Sequence, residues 1–230
     1  MSHIFRLSDS DFSFPPAEWA NDEFDGLLAV GGGYEPERLL NAYTHGIFPW
    51  PIDEIDEVTW FSPDPRMVLM AQDLHVPKSL ARTLKSKRYT ITIDQAFPEV
   101  IHACSTVIRP HEEGTWITSD LEKGYCQLHQ LGFAHSVEAW LDGELAGGLY
   151  GVAIGKCFFG ESMFARKPDA SKCAFVTAAR QLFENGTPWI DCQVYTDHLA
   201  RFGAKEISRG DYLALLRTAL DTTPAGKQEN

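Results

Sequence analysis

The feature that most narrows the fold is Asp142-Gly143, a two-residue hairpin signal set between runs of strand character. Asp-Gly tolerates the positive φ values of the tight turns whose twist matches that of flanking strands. Ahead of it, His135 to Leu141 places Val137, Ala139 and Leu141 on one face; behind it come a glycine-rich strand, Glu144 to Ala153, and a third strand from about Lys156 to Phe164. An antiparallel group of strands is therefore expected at the centre of the chain.

The flanks read as helices. Pro36 suits the first turn of a short helix carrying Leu39, Leu40 and Tyr43 and ended by Gly46. Pro77 opens another with Leu80 and Leu84, and a further one spans about Ala96 to Cys104. Ser119 and Glu122 fit a capping box for a helix presenting Leu121, Tyr125 and Leu128. A long helix runs from about Ser171 to Asn185 and stops at Gly186, Trp189 to Tyr195 forms a fourth strand, and Asp197 and Asp211 suit the caps of two last helices. This order predicts an α+β fold with a mixed α/β sheet.

Charge divides the chain. Residues 1–73 hold 3 basic residues (Arg6, Arg38, Arg66) and 14 acidic ones, so they carry nearly all of the formal net charge of −12. Turn formers crowd the same stretch (Pro15-Pro16, Gly31-Gly32-Gly33, Pro49-Trp50-Pro51, Ser62-Pro63-Asp64-Pro65), which predicts a small loop-rich domain over 1–65 and a second domain over 66–230.

Several function classes are excluded. No apolar run approaches the roughly 18 residues of a membrane span, and MSHIFRLSDSDFSF is no secretory leader, so a cytoplasmic protein without membrane contact is expected. Five scattered cysteines make neither a disulfide framework nor a zinc site. His111-Glu112-Glu113-Gly114-Thr115 lacks the second histidine of a zinc-protease helix, and no phosphate-cradling glycine motif is present, so neither metal nor cofactor is expected. Gly160-Glu161-Ser162-Met163-Phe164 departs from the serine-nucleophile elbow at Phe164.

Four features can carry chemistry, each with a plainer structural reading. Glu161 sits in an apolar strand, where a carboxylate either faces solvent or works. Asp191 and Gln193, two apart, would share a strand face roughly 7 Å apart, as a proton-handling pair or a solvated edge. Trp50 and Trp116 lie in loops, as base-stacking platforms or core plugs. Lys78, Arg82, Lys85, Lys87 and Arg88 form a basic island, since no acidic residue falls between Asp73 and Asp94; it is a solvated face or a phosphate-binding one.

Taken together, Gly26 to Gly32 (GLLAVGG), Tyr43 to Trp50 (YTHGIFPW), Trp60 to Arg66 (WFSPDPR), Glu113 to Thr118 (EGTWIT), Gly147 to Gly151 (GGLYG), Gly160 to Phe164 (GESMF), Ala170-Ser171-Lys172 and Ile190 to Val194 (IDCQV) resemble the bacterial leucyl/phenylalanyl-tRNA–protein transferases. The segments follow the family's order over about residues 14–215, departing from its pattern at Leu149 and Ala165. The resemblance implies a small N-terminal domain followed by an acetyltransferase-like (GNAT) domain. It implies transfer of Leu, Phe and, less readily, Met from Leu-tRNA and Phe-tRNA to the α-amine of proteins beginning with Arg or Lys, marking them for degradation. No cofactor and no covalent enzyme intermediate are implied. Residue by residue, Asp191 would polarise Gln193, Gln193 would contact the amine, and Glu161 would help position the amine or the cationic acceptor side chain. Trp50, Trp116, Leu149, Phe158, Phe159 and Met163 would line the aminoacyl-adenosine site, and the island from Lys78 to Arg88 would meet the tRNA. A monomer is expected. An acyl-CoA enzyme is disfavoured because Arg166-Lys167-Pro168-Asp169 follows the third strand in place of a glycine-rich pyrophosphate loop.

Overall fold

The computed structural model describes residues 3–52, 54–107 and 116–220. In chain order the elements are β1 (Phe5–Arg6), β2 (Leu27–Val30), α1 (Pro36–Thr44), β3 (Phe48–Pro49), β4 (Thr59–Phe61), β5 (Arg66–Met70), α2 (Lys78–Lys85), β6 (Thr90–Ile93), α3 (Phe97–Thr106) and α4 (Ser119–Gln130). They continue as β7 (Ala134–Leu141), β8 (Glu144–Ile154), β9 (Cys157–Ala165), α5 (Ala170–Glu184), β10 (Trp189–Gln193), α6 (Asp197–Ala200), β11 (Lys205–Ile207) and α7 (Arg209–Leu220). The residues 108–115 of the Glu113 to Thr118 segment and of the His111 motif, like 221–230, lie outside the described residues.

The expected hairpin is present: β7 and β8 pair antiparallel from Ala134↔Val152 to Leu141↔Glu144, with Asp142 and Gly143 both at positive φ. β8 in turn pairs with β9, and the whole sheet has seven strands in the order β11-β5-β10-β9-β8-β7-β6. Among the described residues of this sheet only β9 and β10 run parallel, across the helix α5 that a parallel connection requires. The fold is thus mixed α/β.

Details differ where capping chemistry was shared by neighbours. Thr118, one residue before the expected Ser119, caps α4 by accepting the Leu121 N–H at 3.2 Å. Thr196 caps α6 at 3.2 Å, and Ser208 Oγ accepts the Asp211 N–H at 3.1 Å; the hydroxyls outcompete Asp197 and Asp211, which fall inside the first turns. The loop-rich front also folds more than its composition implied, into a four-stranded sheet ordered β1-β2-β4-β3.

Helices cover both faces of the large sheet. α3, α4 and α7 share a hydrophobic cluster with the small sheet, in which Leu28 and Trp60 join Phe97, Tyr125, Phe159 and Tyr212. α2 and α5 lie over the other face, packing Leu80, Phe175 and Val176 with Met67, Leu149, Phe158 and Ile190. α1 meets α4 closely because Gly124 has no side chain; a Cβ there would stand 2.6 Å from the Tyr34 carbonyl oxygen.

Candidate active site

β9 and β10 hold together over only two register pairs, Ile190↔Phe158 and Asp191↔Phe159. Beyond them each strand carries an irregularity. On β9, Tyr150↔Ser162 is followed by Gly151↔Gly160, which leaves Glu161 as an extra residue; on β10, Asp191↔Val68 is followed by Gln193↔Met67, which leaves Cys192 extra. Bulges interrupt pairing and re-aim side chains. The parallel strands part, and a cavity of about 1020 Å³ opens where they do.

Most of the residues picked out in the sequence meet there. Trp50, Trp116, Leu149, Phe158, Met163, Glu161, Asp191 and Gln193 all line the cavity, with Phe175 of α5 and Ile190 adding apolar wall. Phe159 does not. Strand alternation turns it to the opposite face, where it is 0% exposed and packs on Tyr43 at 5.0 Å between ring centroids. The basic island stands apart: Lys78, Arg82 and Lys85 lie on exposed α2, followed by exposed Lys87 and Arg88. α2 packs on α5, which lends Ser171 and Phe175 to the cavity, so the island is one helix removed from it.

Glu161 accepts three hydrogen bonds. Tyr43 Oη donates to Oε1 at 2.7 Å, Gln193 Nε2 to Oε1 at 2.7 Å, and Tyr125 Oη to Oε2 at 2.8 Å. The two tyrosine hydroxyls also touch each other. Burial raises the carboxyl strongly and the ion at Asp191 adds to this, while the donors Tyr43, Tyr125 and Gln193 pull back; the balance leaves it at about 7. Burial likewise holds both tyrosines well above their ordinary range, so they remain donors.

Asp191 is engaged quite differently from the expected arrangement. Its carboxylate does not meet the Gln193 side chain. It takes Arg66 Nε on Oδ1 at 2.9 Å, Arg66 Nη2 on Oδ2 at 2.6 Å, Tyr212 Oη on Oδ2 at 2.7 Å and the Gln193 backbone N–H on Oδ1 at 2.8 Å. The bulge is the reason. It defeats the two-residue alternation, so the Gln193 amide turns toward Glu161 and the Asp191 carboxylate toward β5 and α7.

Sequence reading missed four residues that build this site: Tyr43, Tyr125, Arg66 and Tyr212. Tyr43 and Tyr125 were placed on apolar helix faces, which they do occupy, both 0% exposed; nothing in a helical period reveals that a hydroxyl finds a carboxylate on another element. Arg66 had a faint signal, as the one cation among the Leu and Met of its strand.

Comparison with known proteins shows the family. The family signature described as leucyl/phenylalanyl-tRNA protein transferase matches residues 68–217, and that of the leucyl/phenylalanyl-tRNA protein transferase N-terminal domain matches residues 32–64. A leucyl/phenylalanyl-tRNA–protein transferase of Anaeromyxobacter sp. (strain Fw109-5) is 55% identical over 95% of this chain and 91% of its own. Relatives of the same name from Myxococcus xanthus (strain DK1622) and Laribacter hongkongensis (strain HLHK9) are 54% and 51% identical, covering 97% and 94% of this chain and 95% and 92% of theirs. Solved structures are more remote. The C-terminal domain of a putative lysylphosphatidylglycerol synthetase from Agrobacterium fabrum covers 83% of this chain and 70% of its own at 11% identity and a TM-score of 0.41, too far to name the fold family. On the strength of the signature and these close relatives, the chain belongs to the leucyl/phenylalanyl-tRNA protein transferase family.

Proposed function

We propose that the cavity between β9 and β10 receives the aminoacyl-adenosine end of a charged tRNA and passes Leu, Phe or, less readily, Met to the α-amine of a polypeptide beginning with Arg or Lys. The observation that carries this is the Gln193–Glu161 pair, set beside an apolar pocket and two tryptophans in one cavity. Leu149, Phe158, Met163, Phe175 and Ile190 form the apolar wall that takes the aminoacyl side chain. Such a wall separates homologues by only about 1–3 kcal/mol per methylene, so several unbranched-at-Cβ side chains compete for it. Trp50 and Trp116 offer ring faces to the terminal adenosine.

The reaction needs a base. An α-amine has a pKa near ~8 and is largely protonated at neutral pH, so the reacting species is the fraction that has already released one proton to solvent, and this neutral amine gives up a second proton as it attacks. Among the described residues no hydrogen bond engages Gln193 Oε1, because Nε2 is the atom committed to Glu161; the carbonyl oxygen orients an N–H of the incoming amine. Glu161, near neutrality, accepts the proton. The amine nitrogen bonds to the ester carbonyl carbon, the bond from that carbon to the ribose oxygen breaks, and the proton held by Glu161 passes to the ribose oxygen. The products are an amide and a tRNA with a free hydroxyl, with no covalent enzyme intermediate. The strongly anionic front of the chain favours acceptors with cationic N-termini, and extension of such chains marks them for degradation. We read the protein as a cytoplasmic monomer with a small domain over 1–65 and an acetyltransferase-like one over 66–230; no helix among the described residues is long and apolar enough to cross a membrane.

The test is transfer of labelled Leu and Phe from charged tRNA to a peptide starting with Arg, compared with the same peptide starting with Ala. Transfer to the Arg peptide is expected. No transfer while the charged tRNA stays intact would sink the reading.

A further inference from the structure

Within the cavity, Asp191 is the carboxylate with nothing left to offer a substrate. Its two oxygens carry about four acceptor sites. Arg66 fills two, Tyr212 a third and the Gln193 backbone N–H a fourth. Asp191 is 0% and Arg66 1% exposed, so both side chains are buried.

Arg66 is itself held from three directions. Its Nη1 donates to the Gly46 carbonyl at 3.3 Å, and its guanidinium stacks 4.6 Å from the Phe48 ring centroid and 4.5 Å from that of Tyr212. It thereby ties the small sheet and α7 to β10. A planar fork is needed for this, since one face of it stacks while its edge bonds both carboxylate oxygens.

What this assembly fixes is Gln193. That residue stands at φ +62, left-handed backbone that a residue bearing a Cβ adopts only when its surroundings impose it. The bond from its N–H to the Asp191 side chain two residues back imposes it. The same backbone setting directs the amide onto Glu161 at 2.7 Å.

We propose that Arg66, acting with Tyr212 through Asp191, is a positioning residue of the transfer reaction: it locks the bulged backbone that aims the Gln193 amide at Glu161. Asp191 is then a relay of position and touches no reacting atom. This rests on the role given above to Gln193 and Glu161.

The experiment uses the full chain, charged Leu-tRNA and an Arg-initiated peptide, under single turnover, with folding followed by circular dichroism. Tyr212→Phe removes one donor to Asp191 and keeps the stacking ring. It is expected to slow transfer about 5-fold at unchanged KM for charged tRNA, and to have less than about a 1.5-fold effect in a Gln193→Ala background, because a residue that acts through Gln193 has nothing to act on there. Arg66→Ala is expected to lose about 100-fold or more, to regain at least 10-fold with added guanidinium ion, and to be matched in its loss by Arg66→Lys. Equal effects of Tyr212→Phe with and without Gln193, or a folded Arg66→Ala enzyme of normal rate, would overturn the proposal. Should Arg66→Ala fail to fold, the Tyr212 and Gln193 cycle decides alone. A wild-type chain that transfers nothing marks instead the failure of the underlying reading.

Discussion

The amide of Gln193 spans the gap between the parting strands β9 and β10 and donates to Glu161 at 2.7 Å. The contact joins two residues that are each products of a bulge, Glu161 as the extra residue of one strand and Gln193 just past the extra residue of the other. Two separate irregularities thus converge on one hydrogen bond at the wall of the cavity.

Glu161→Gln keeps the shape of the side chain and removes its ability to take a proton. Loss of a general base is worth about 10²- to 10⁴-fold, so transfer should fall by at least about 100-fold with charged-tRNA binding little changed. In the wild type the rate should climb as pH rises through about 7, where Glu161 ionises. A pH series of single-turnover rates checks both, and a variant that keeps the wild-type limb would assign the base elsewhere.

The same carboxyl should act on stability with the opposite sign. Its folded value, about 7, lies above the ordinary 4.5, so the fold prefers the protonated form. The contribution is whole below pH 4.5 and is lost as pH rises from there through 7. Thermal melts between pH 4.5 and 8 should show the wild type losing ground to Glu161→Gln with increasing pH. Parallel melting curves would show that the carboxyl is not held near neutrality.

Much of this site was legible in the chain, and the part that was not has a physical cause. Glu161 and Gln193 stand out as polar residues in largely apolar strands and Trp50 as an aromatic in a loop, whereas Leu149 and Phe158 enter through the family resemblance alone. Phe159 and Phe158 look alike in a strand of apolar residues, and only the sheet's two faces separate them. The Arg66–Asp191 pair spans 125 positions in the chain, and no local period encodes a contact of that separation. The bulges are equally silent, since a residue added to one strand is visible only against its partner.

Those two faces predict different outcomes for neighbouring residues. Phe159→Ala should cost about 3–5 kcal/mol of stability by leaving a hole in the core beneath Tyr43, while the preference between Leu and Phe stays as it was. Phe158→Ala enlarges the cavity wall and should shift the ratio of kcat/KM toward Phe. Denaturant titration and competition between the two charged tRNAs measure these. A shifted preference in the Phe159 variant would place that ring back in the pocket.

Gly151 lies opposite the bulge at Glu161, and a Cβ there would fall 2.4 Å from the Phe159 carbonyl oxygen and 2.6 Å from the Phe158 ring. Backbone cannot yield as a flexible side chain would. Gly151→Ala should therefore destabilise the chain by about 1–3 kcal/mol through overpacking and lower transfer as well, because the bulge that carries Glu161 must shift. Calorimetry together with the transfer assay tests this; a variant unaltered in both would mean that the strands relax freely at the bulge.

The basic island offers a prediction in which bulk and local charge oppose each other. A net charge of −12 disfavours a polyanion, yet Lys78, Arg82, Lys85, Lys87 and Arg88 are all exposed in a stretch that has no acidic residue. Screening makes the nearby cations decide, because charges farther than about 8 Å are damped at physiological salt. If Arg82, Lys85 and Lys87 each neutralise one phosphate, replacing all three by Ala should reduce the slope of log KM for charged tRNA against log salt by about 2–3, at roughly 0.7–0.9 per contact. The rate at saturating tRNA should hold, since α5 stands between the island and the cavity. An unchanged salt slope would remove the tRNA from this face of the protein.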